Sequence, residues 1–509
     1  MLPVWRNWQT HRTQNAARNH TGSSPVTGTT EVLYYMHQGF CFLYRRNVSI
    51  VFQNMQFLHS FCSIWRGSGN LLRFSCFFCR PIDNSDEVYY NYITQNSKYI
   101  ATIADKSKGA ADISMDIFEK CRKRSRVDEA KEKGIYPYFH ALETRQDVEV
   151  IMEGKRRIML GSNNYLGLTT NPEIMEAGIK AIEQYGTGCS GSRFLNGTLQ
   201  MHLELEAELA AFVGKEAVMT FSTGFQSNLG IISALVGIHD CVICDRENHA
   251  SIYDGCRLGF GKMLMYKHAD MEDLERQLQK VPENRGCLIV TDGVFSMGGD
   301  IAKLPEICAL AKKYGARVMV DDAHALGVIG KGGRGTASHF GLEDQVDIYM
   351  GTFSKSLASL GGYMAADKEV VEYVRHVSRP FIFSASITPA SAAVALAALR
   401  HLEAHPEIVT NLADISTHFR KRLLEKNVHI IEADTPIVPI YTYTEENTLV
   451  RARMVYDAGV YVNPVITPAC AEGECLLRAT CMASHTKELI DEAAEIIAAT
   501  LAAPSPLEA

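Results

Sequence analysis

From Pro172 onward, short apolar runs alternate with segments whose apolar residues recur at a helical spacing. The runs are Ala217–Phe221, Cys241–Cys244, Met263–Tyr266, Cys287–Thr291, Val318–Val320, Ile348–Met350 and Gly362–Ala365. Each is too short for a helix and almost wholly apolar, as a strand buried on both faces must be. Segments between them, such as Asp273–Gln279 and Leu304–Lys313, are amphipathic and helical in pattern. The alternation predicts an α/β fold: a large domain with a mostly parallel seven-stranded sheet and right-handed crossovers. After a helix around Ala390–Glu403 the pattern changes. Strands Ile437–Thr442, Val460–Val462 and Cys475–Arg478 then mix with helices near Thr448–Asp457 and Leu489–Leu501, which predicts a smaller C-terminal α+β domain. Upstream, Asp116–Lys133 reads as a charged helix ended by Gly134 and Pro137. Short strands Val148–Met152 and Arg157–Leu160 lead from there into Gly161-Ser-Asn-Asn-Tyr-Leu-Gly167. The expected divisions are a leader over 1–114, an N-terminal arm over 115–167, the large domain over 168–403 and the small domain over 404–509.

Composition changes this picture mainly at the front. With 509 residues, 46% hydrophobic and 21% charged, the chain is an ordinary globular protein of two or three domains. Residues 1–80, however, hold eight arginines, no lysine, one acid (Glu31) and all three tryptophans, so the formal −7 of the whole chain leaves the rest strongly acidic. A membrane span is disfavoured because the best apolar run, Gly39 to Trp65, is broken by Arg45-Arg46, Asn47, Gln53, Asn54 and Gln56. An organellar targeting peptide would share the arginine bias but not the aromatics and cysteines. A folded accessory domain lacks a sustained period. The fourth reading is favoured: Arg6-Asn-Trp-Gln-Thr-His-Arg-Thr-Gln-Asn15 and Gly22-Ser-Ser-Pro-Val-Thr27 resemble a transfer-RNA gene translated by mistake, with the natural start at Met115. The acidic remainder shows no basic–aromatic stripe, which argues against nucleic-acid binding. Fourteen scattered cysteines point to a reducing, cytoplasmic setting. Cys241 and Cys244, three apart on a strand, face opposite sides and read as packed thiols, not metal ligands; no metal site is expected.

Polar residues follow the runs at their carboxyl ends, where open sheets bind ligands. Ser222-Thr-Gly-Phe225 follows the first run and can open a helix with backbone amides aimed at an anion; a tight turn is the plainer reading. Asn248-His-Ala-Ser-Ile-Tyr-Asp254 follows the second and sets the His249 imidazole at a helix start, where a histidine commonly serves as a cap. Asp292-Gly-Val-Phe-Ser-Met297 follows the fourth, Asp321-Asp-Ala-His324 the fifth, and Thr352-Phe-Ser-Lys355 the sixth. An acid and a histidine at one strand end, then a lysine among hydroxyl residues at the next, suit pyridoxal phosphate. The lysine amine forms a Schiff base, the carboxylate keeps a proton on the pyridine nitrogen, and hydroxyls take the phosphate. Gly330-Lys-Gly-Gly-Arg-Gly335 has the spacing of neither phosphate-binding glycine motif and reads as a flexible loop.

From Gly161 to about Glu492 the chain resembles the α-oxoamine synthases, pyridoxal phosphate transferases of fold type I that condense an amino acid with an acyl-CoA and release CO2. The segments that carry the resemblance are Ser-Asn-Asn-Tyr-Leu-Gly (162–167), Gly-Ser-Arg-Phe-Leu-Asn-Gly-Thr (191–198) and His-Ala-Ser-Ile-Tyr-Asp (249–254). Within the family it is most similar to the bacterial branch that joins L-serine to palmitoyl-CoA. Ser354 stands before the lysine where relatives using glycine or alanine typically carry glycine, and Val460-Tyr-Val-Asn-Pro464 also resembles that branch. The resemblance implies that Lys355 holds the cofactor and moves the Cα proton, Asp321 pairs with the pyridinium, His324 bonds the phenolic oxygen, and His249 stacks on the ring and contacts the substrate carboxylate. It implies that Gly224, Phe225, Ser296, Thr352 and Ser354 surround the cofactor and its phosphate, and that Ser384 reaches the phosphate of a second subunit, making a homodimer with shared sites. Arg478 would clamp the amino acid carboxylate and Asn164 would contact substrate, although Arg478 without the family context reads as a surface ion pair. A sister synthase using glycine or alanine, of the 2-amino-3-ketobutyrate ligase or 8-amino-7-oxononanoate synthase type, would share these residues. A non-catalytic partner subunit would typically lack the lysine. A lipid product would bring peripheral contact with a membrane.

Overall fold

The computed structural model describes residues 116–504 and, as backbone strands, Leu33–His37 (β1), Phe40–Arg45 (β2) and Val48–Phe52 (β3). These three strands pair antiparallel in the order β1-β2-β3. Leu33-Tyr-Tyr-Met and Phe40-Cys-Phe-Leu are unbroken runs of apolar and aromatic residues, so they show no alternation from which a strand period could be read. The other expectations for the leader lie outside the described residues. The chain divides after Asp116 into two units, and the second, Ile117–Ala509, holds the larger fold.

All seven runs form strands of one sheet: β6 (Ala217–Phe221), β7 (Cys241–Asp245), β8 (Lys262–Tyr266), β9 (Cys287–Asp292), β10 (Arg317–Asp321), β11 (Ile348–Thr352) and β12 (Gly362–Ala366), ordered β6-β12-β11-β10-β9-β7-β8. The five from β8 to β11 run parallel, while β12 is antiparallel to both β11 and β6. The short Phe353–Gly361 connection explains the reversal, since a parallel crossover needs a dozen or more residues. Every position of β7, β11 and β12 is buried. Alternate residues feed two apolar layers, Ile243 and Val320 packing into one and Val242 and Met319 into the other. Cys241 and Cys244 are fully buried free thiols.

Two short strands, β4 (Glu149–Met152) and β5 (Lys155–Met159), precede the large sheet. In the C-terminal part, β13 (Ile437–Tyr443), β15 (Asn463–Val465) and β16 (Cys475–Thr480) form an antiparallel sheet in the order β13-β16-β15. Between them, β14 (Val460–Tyr461) pairs parallel with β5, which pairs antiparallel with β4. The N-terminal arm is therefore hydrogen-bonded into the C-terminal region, a pairing across some three hundred residues of sequence that no local pattern carries.

Two local readings need correction. Asp116–Lys133 is two short helices, Glu119–Arg122 and Arg126–Glu132, because Lys123 turns extended and Ser125 starts the second with a capping box to Asp128. The stretch Gly330–Gly335 is a packed turn instead of a flexible loop. Gly335 has φ of +93°, and a Cβ there would lie 2.1 Å from an Asp322 carboxylate oxygen, so only glycine lets the turn close on that acid. Among the described residues, no helix is long and apolar enough to cross a membrane.

Candidate active site

The carboxyl ends of β6, β7, β9, β10 and β11 converge, and each delivers part of one site. Lys355 lies just past β11; part of the residue is open to the cavity, while its amine is enclosed by protein. Burial pulls its amine down to about 8; the Asp321 and Asp292 carboxyl groups oppose that fall and Arg478 adds to it. Asp321 ends β10 and is buried. One of its oxygens accepts the Asn228 amide at 2.7 Å and the other the Ala323 N–H at 2.9 Å, so the carboxyl is fixed in place. Asn228 itself is fully buried in the helix Gly224–Leu235 and also donates to the Ser251 hydroxyl at 2.8 Å. Sequence reasoning missed Asn228. The available signal was its position four residues after Gly224, on the helix face that also carries that helix start.

His324 is buried three residues after Asp321, with its Nδ1 2.6 Å from the Tyr165 hydroxyl. Burial holds the ring well below the usual histidine range, and Lys355, Arg478 and His249 push the same way. Burial likewise raises the Tyr165 hydroxyl, which stays protonated. Tyr165 then donates to Nδ1, and the proton of the neutral ring sits on Nε2. His249 caps the helix Ala250–Leu258, its Nδ1 against the Ser251 hydroxyl at 2.7 Å and its ring edge-on to Phe225 at 6.2 Å. His249 is exposed as a residue, yet partial desolvation of its ring lowers its pKa, with Asp321 opposing and Lys355 adding to the shift. Its backbone N–H donates to Asp292 at 3.0 Å. Asp292, which ends β9 directly beside Asp321 in the strand register, is buried. Burial first and the Asp321 charge second raise its pKa well above the carboxylate range. Tyr165 and Asp292 both stood in quoted segments without a role.

Arg478 is buried near the end of β16. Its guanidinium donates to the Ser296 carbonyl, to Thr480 at 3.0 Å, to Asn163 at 3.1 Å and to the Tyr165 hydroxyl at 3.4 Å. All four acceptors are neutral, which leaves a buried positive charge suited to an incoming carboxylate. Ser296 thus serves this arginine through its carbonyl. Asn164 is buried in a cavity of about 360 Å³ that also includes Lys355, Ser354 and Asn163. Its amide donates to Thr169 at 2.7 Å, while its carbonyl oxygen has no hydrogen-bond partner.

The anion cradle lies between β6 and β11. Thr223 caps the helix that Gly224 and Phe225 begin, so their amide N–H groups are helix-start donors. Thr352 lies under that start: a Cβ on Gly224 would meet its hydroxyl oxygen at 2.7 Å. The Thr352 and Ser354 hydroxyls are 2.8 Å apart. Ser384 follows the short helix Arg379–Ile382, and the carbonyl of the next residue, Ala385, accepts from Ser222. The loop bearing Ser384 therefore touches the residue that opens the cradle. These features fit pyridoxal phosphate: an amine with a lowered pKa, a fixed carboxyl for a ring nitrogen, a neutral imidazole, and a phosphate-sized donor set whose closeness requires glycine.

Residues 155–497 match the family described as aminotransferase class I and II. A serine palmitoyltransferase of Sphingobacterium spiritivorum is 53% identical over 369 residues, 72% of this chain and 92% of that protein. An 8-amino-7-oxononanoate synthase of Thermoanaerobacter pseudethanolicus is 42% identical over 371 residues, 73% of this chain and 94% of that one. A solved structure described as SPT with PLP internal aldimine superposes with a TM-score of 0.74 at 37% identity, covering 76% of this chain and 98% of its own.

Proposed function

This chain belongs to the aminotransferase class I and II family, in its α-oxoamine synthase branch, and we propose that it joins L-serine to palmitoyl-CoA, giving 3-oxosphinganine, CoA and CO2. The observation that carries the chemistry is the convergence of Lys355, Asp321, His324 and Arg478 on one cluster at the sheet's carboxyl edge. The choice of serine is supported by the higher identity to a serine palmitoyltransferase, 53% against 42% for the synthase of the sister branch.

Pyridoxal phosphate, when bound, supplies an electron sink that makes the Cα proton labile and takes up the charge left by CO2. Lys355 would hold it and afterwards carry the Cα proton, a task for which an amine near pH 8 is better matched than an ordinary lysine. Asp321, fixed by Asn228 and Ala323, would keep a proton on the ring nitrogen. His324 would donate its Nε2 proton to the phenolic oxygen, and His249 would cover the ring face. Gly224, Phe225, Thr352 and Ser354 would hold the phosphate. Arg478 would receive the serine carboxylate on the N–H that its four existing bonds leave free and orient it for loss as CO2, with Asn164 lending its unpartnered carbonyl to the substrate.

The proposal extends to a homodimer in which Ser384 serves the partner's phosphate, to a cytoplasmic location, and to peripheral membrane contact through the lipid product. Titrating the cofactor-loaded protein with serine, glycine and alanine tests the specificity, because bound amino acid changes the cofactor absorbance. Serine should saturate at the lowest concentration; glycine or alanine binding as tightly would place the chain in the sister branch.

A further inference from the structure

Outside the cluster around Lys355, His268 sits just past β8 with both ring nitrogens on carboxyl oxygens: Nδ1 on Asp245 at 3.0 Å and Nε2 on Asp300 at 3.1 Å. A neutral imidazole has one N–H and one lone pair, so it can satisfy only one of these contacts; two acceptors at bonding distance need both nitrogens protonated. Asp245 is buried at the end of β7 and already accepts the Glu247 and Ala269 N–H groups at 2.8 and 3.0 Å, so it is a rigid anchor. Glu247 adds a third acid, 3.7 Å from Nε2. Burial opposes the charged ring, but the bonds to Asp245 and Asp300 outweigh it and hold the pKa up at about 10.

Asp300 belongs to a tight hairpin whose two ends both meet His268. Phe295 packs edge-on to the imidazole at 4.5 Å, and its N–H bonds the Asp300 carbonyl at 2.9 Å. Val294 bridges Ile301, closing the hairpin. Its outer side faces the C-terminal region: the Gly299 carbonyl accepts the Thr435 hydroxyl at 2.7 Å, and the Ser296 carbonyl accepts Arg478. A displaced hairpin would therefore move the carbonyl that aims the guanidinium.

We propose that His268 is a positioning residue for substrate recognition: its doubly bonded ring clamps the Phe295–Asp300 hairpin to β7 and thereby sets Arg478 for the amino acid carboxylate. This rests on the reading that Arg478 receives that carboxylate. The test compares L-serine with serinol, which has the same amine and hydroxyl but no carboxylate, by absorbance titration of the cofactor-loaded protein. His268→Gln, whose two N–H groups share one nitrogen and so cannot reach acids that bond separate ring nitrogens, should weaken serine binding about tenfold, the scale of one hydrogen bond to a charged group, and leave serinol binding unchanged. Asp300→Ala, which removes the Nε2 acceptor, should give the same split and carries the test if His268→Gln does not fold. Equal weakening of both ligands, or unchanged serine binding, overturns the clamp. The two readings separate cleanly. If the unsubstituted protein binds serinol as tightly as serine, the role of Arg478 fails; if it prefers serine and both variants keep that preference, only the clamp fails.

Discussion

The amine of Lys355 should capture cofactor at a pH where an ordinary lysine cannot. Only the unprotonated amine attacks an aldehyde, so the rate follows the neutral fraction. Burial brings Lys355 down from 10.5 to about 8. At pH 7 that leaves roughly one amine in eleven neutral, against roughly one in three thousand for a free lysine, a gain of about 300-fold. The assay is stopped-flow absorbance of pyridoxal phosphate added to cofactor-free protein between pH 6 and about 10. Because the folded pKa is lowered, the rate should rise with pH and level off with a midpoint near 8. Asp321 pulls the amine upward, so Asp321→Asn should move the midpoint further down. A midpoint at or above 10, or one that rises in Asp321→Asn, would refute the claim that burial sets this amine.

Asn228→Ala removes the 2.7 Å bond that fixes Asp321 and should cut turnover about tenfold while the fold, followed by circular dichroism, is kept. Arg478→Ala should raise the serine concentration for half-maximal binding by roughly 10- to 100-fold, the scale of losing a charge-assisted pair, as read by absorbance titration. Gly335→Ala should lower Tm in a calorimetric melt, since a side chain at φ +93° costs roughly 1–3 kcal/mol before its clash with Asp322 is counted. Sedimentation of the loaded protein should give a dimer, and an active monomer would remove the proposed role of Ser384.

The seven sheet strands were legible because each is short, nearly unbroken in apolar character and followed by polar residues, a pattern that burial on both faces imposes. The same punctuation exposed Lys355, Asp321, His324 and His249, which all stand at strand or helix ends. Asn228 was not legible: an asparagine inside an apolar helix reads as a solvent-facing residue until its full burial is seen. Asp292 and Tyr165 were in view, but their importance lies in contacts to His249 and His324 from distant segments. The β14–β5 pairing and the His268 clamp are products of tertiary closure, and local periodicity carries no trace of either. The glycines of 330–335 misled in the opposite direction, because the composition of a loose loop is also that of a turn forced against a buried acid.

Turnover at this site should release the serine carboxylate as CO2 while joining the remainder to a long acyl chain. Supplying carboxyl-labelled L-serine and palmitoyl-CoA to the cofactor-loaded protein and counting released CO2 tests it most directly. Labelled CO2 and free CoA should appear in equal amounts, matched by 3-oxosphinganine, with little turnover when labelled glycine or alanine replaces serine. Release that is as fast from glycine or alanine, or CoA released without labelled CO2, would contradict it.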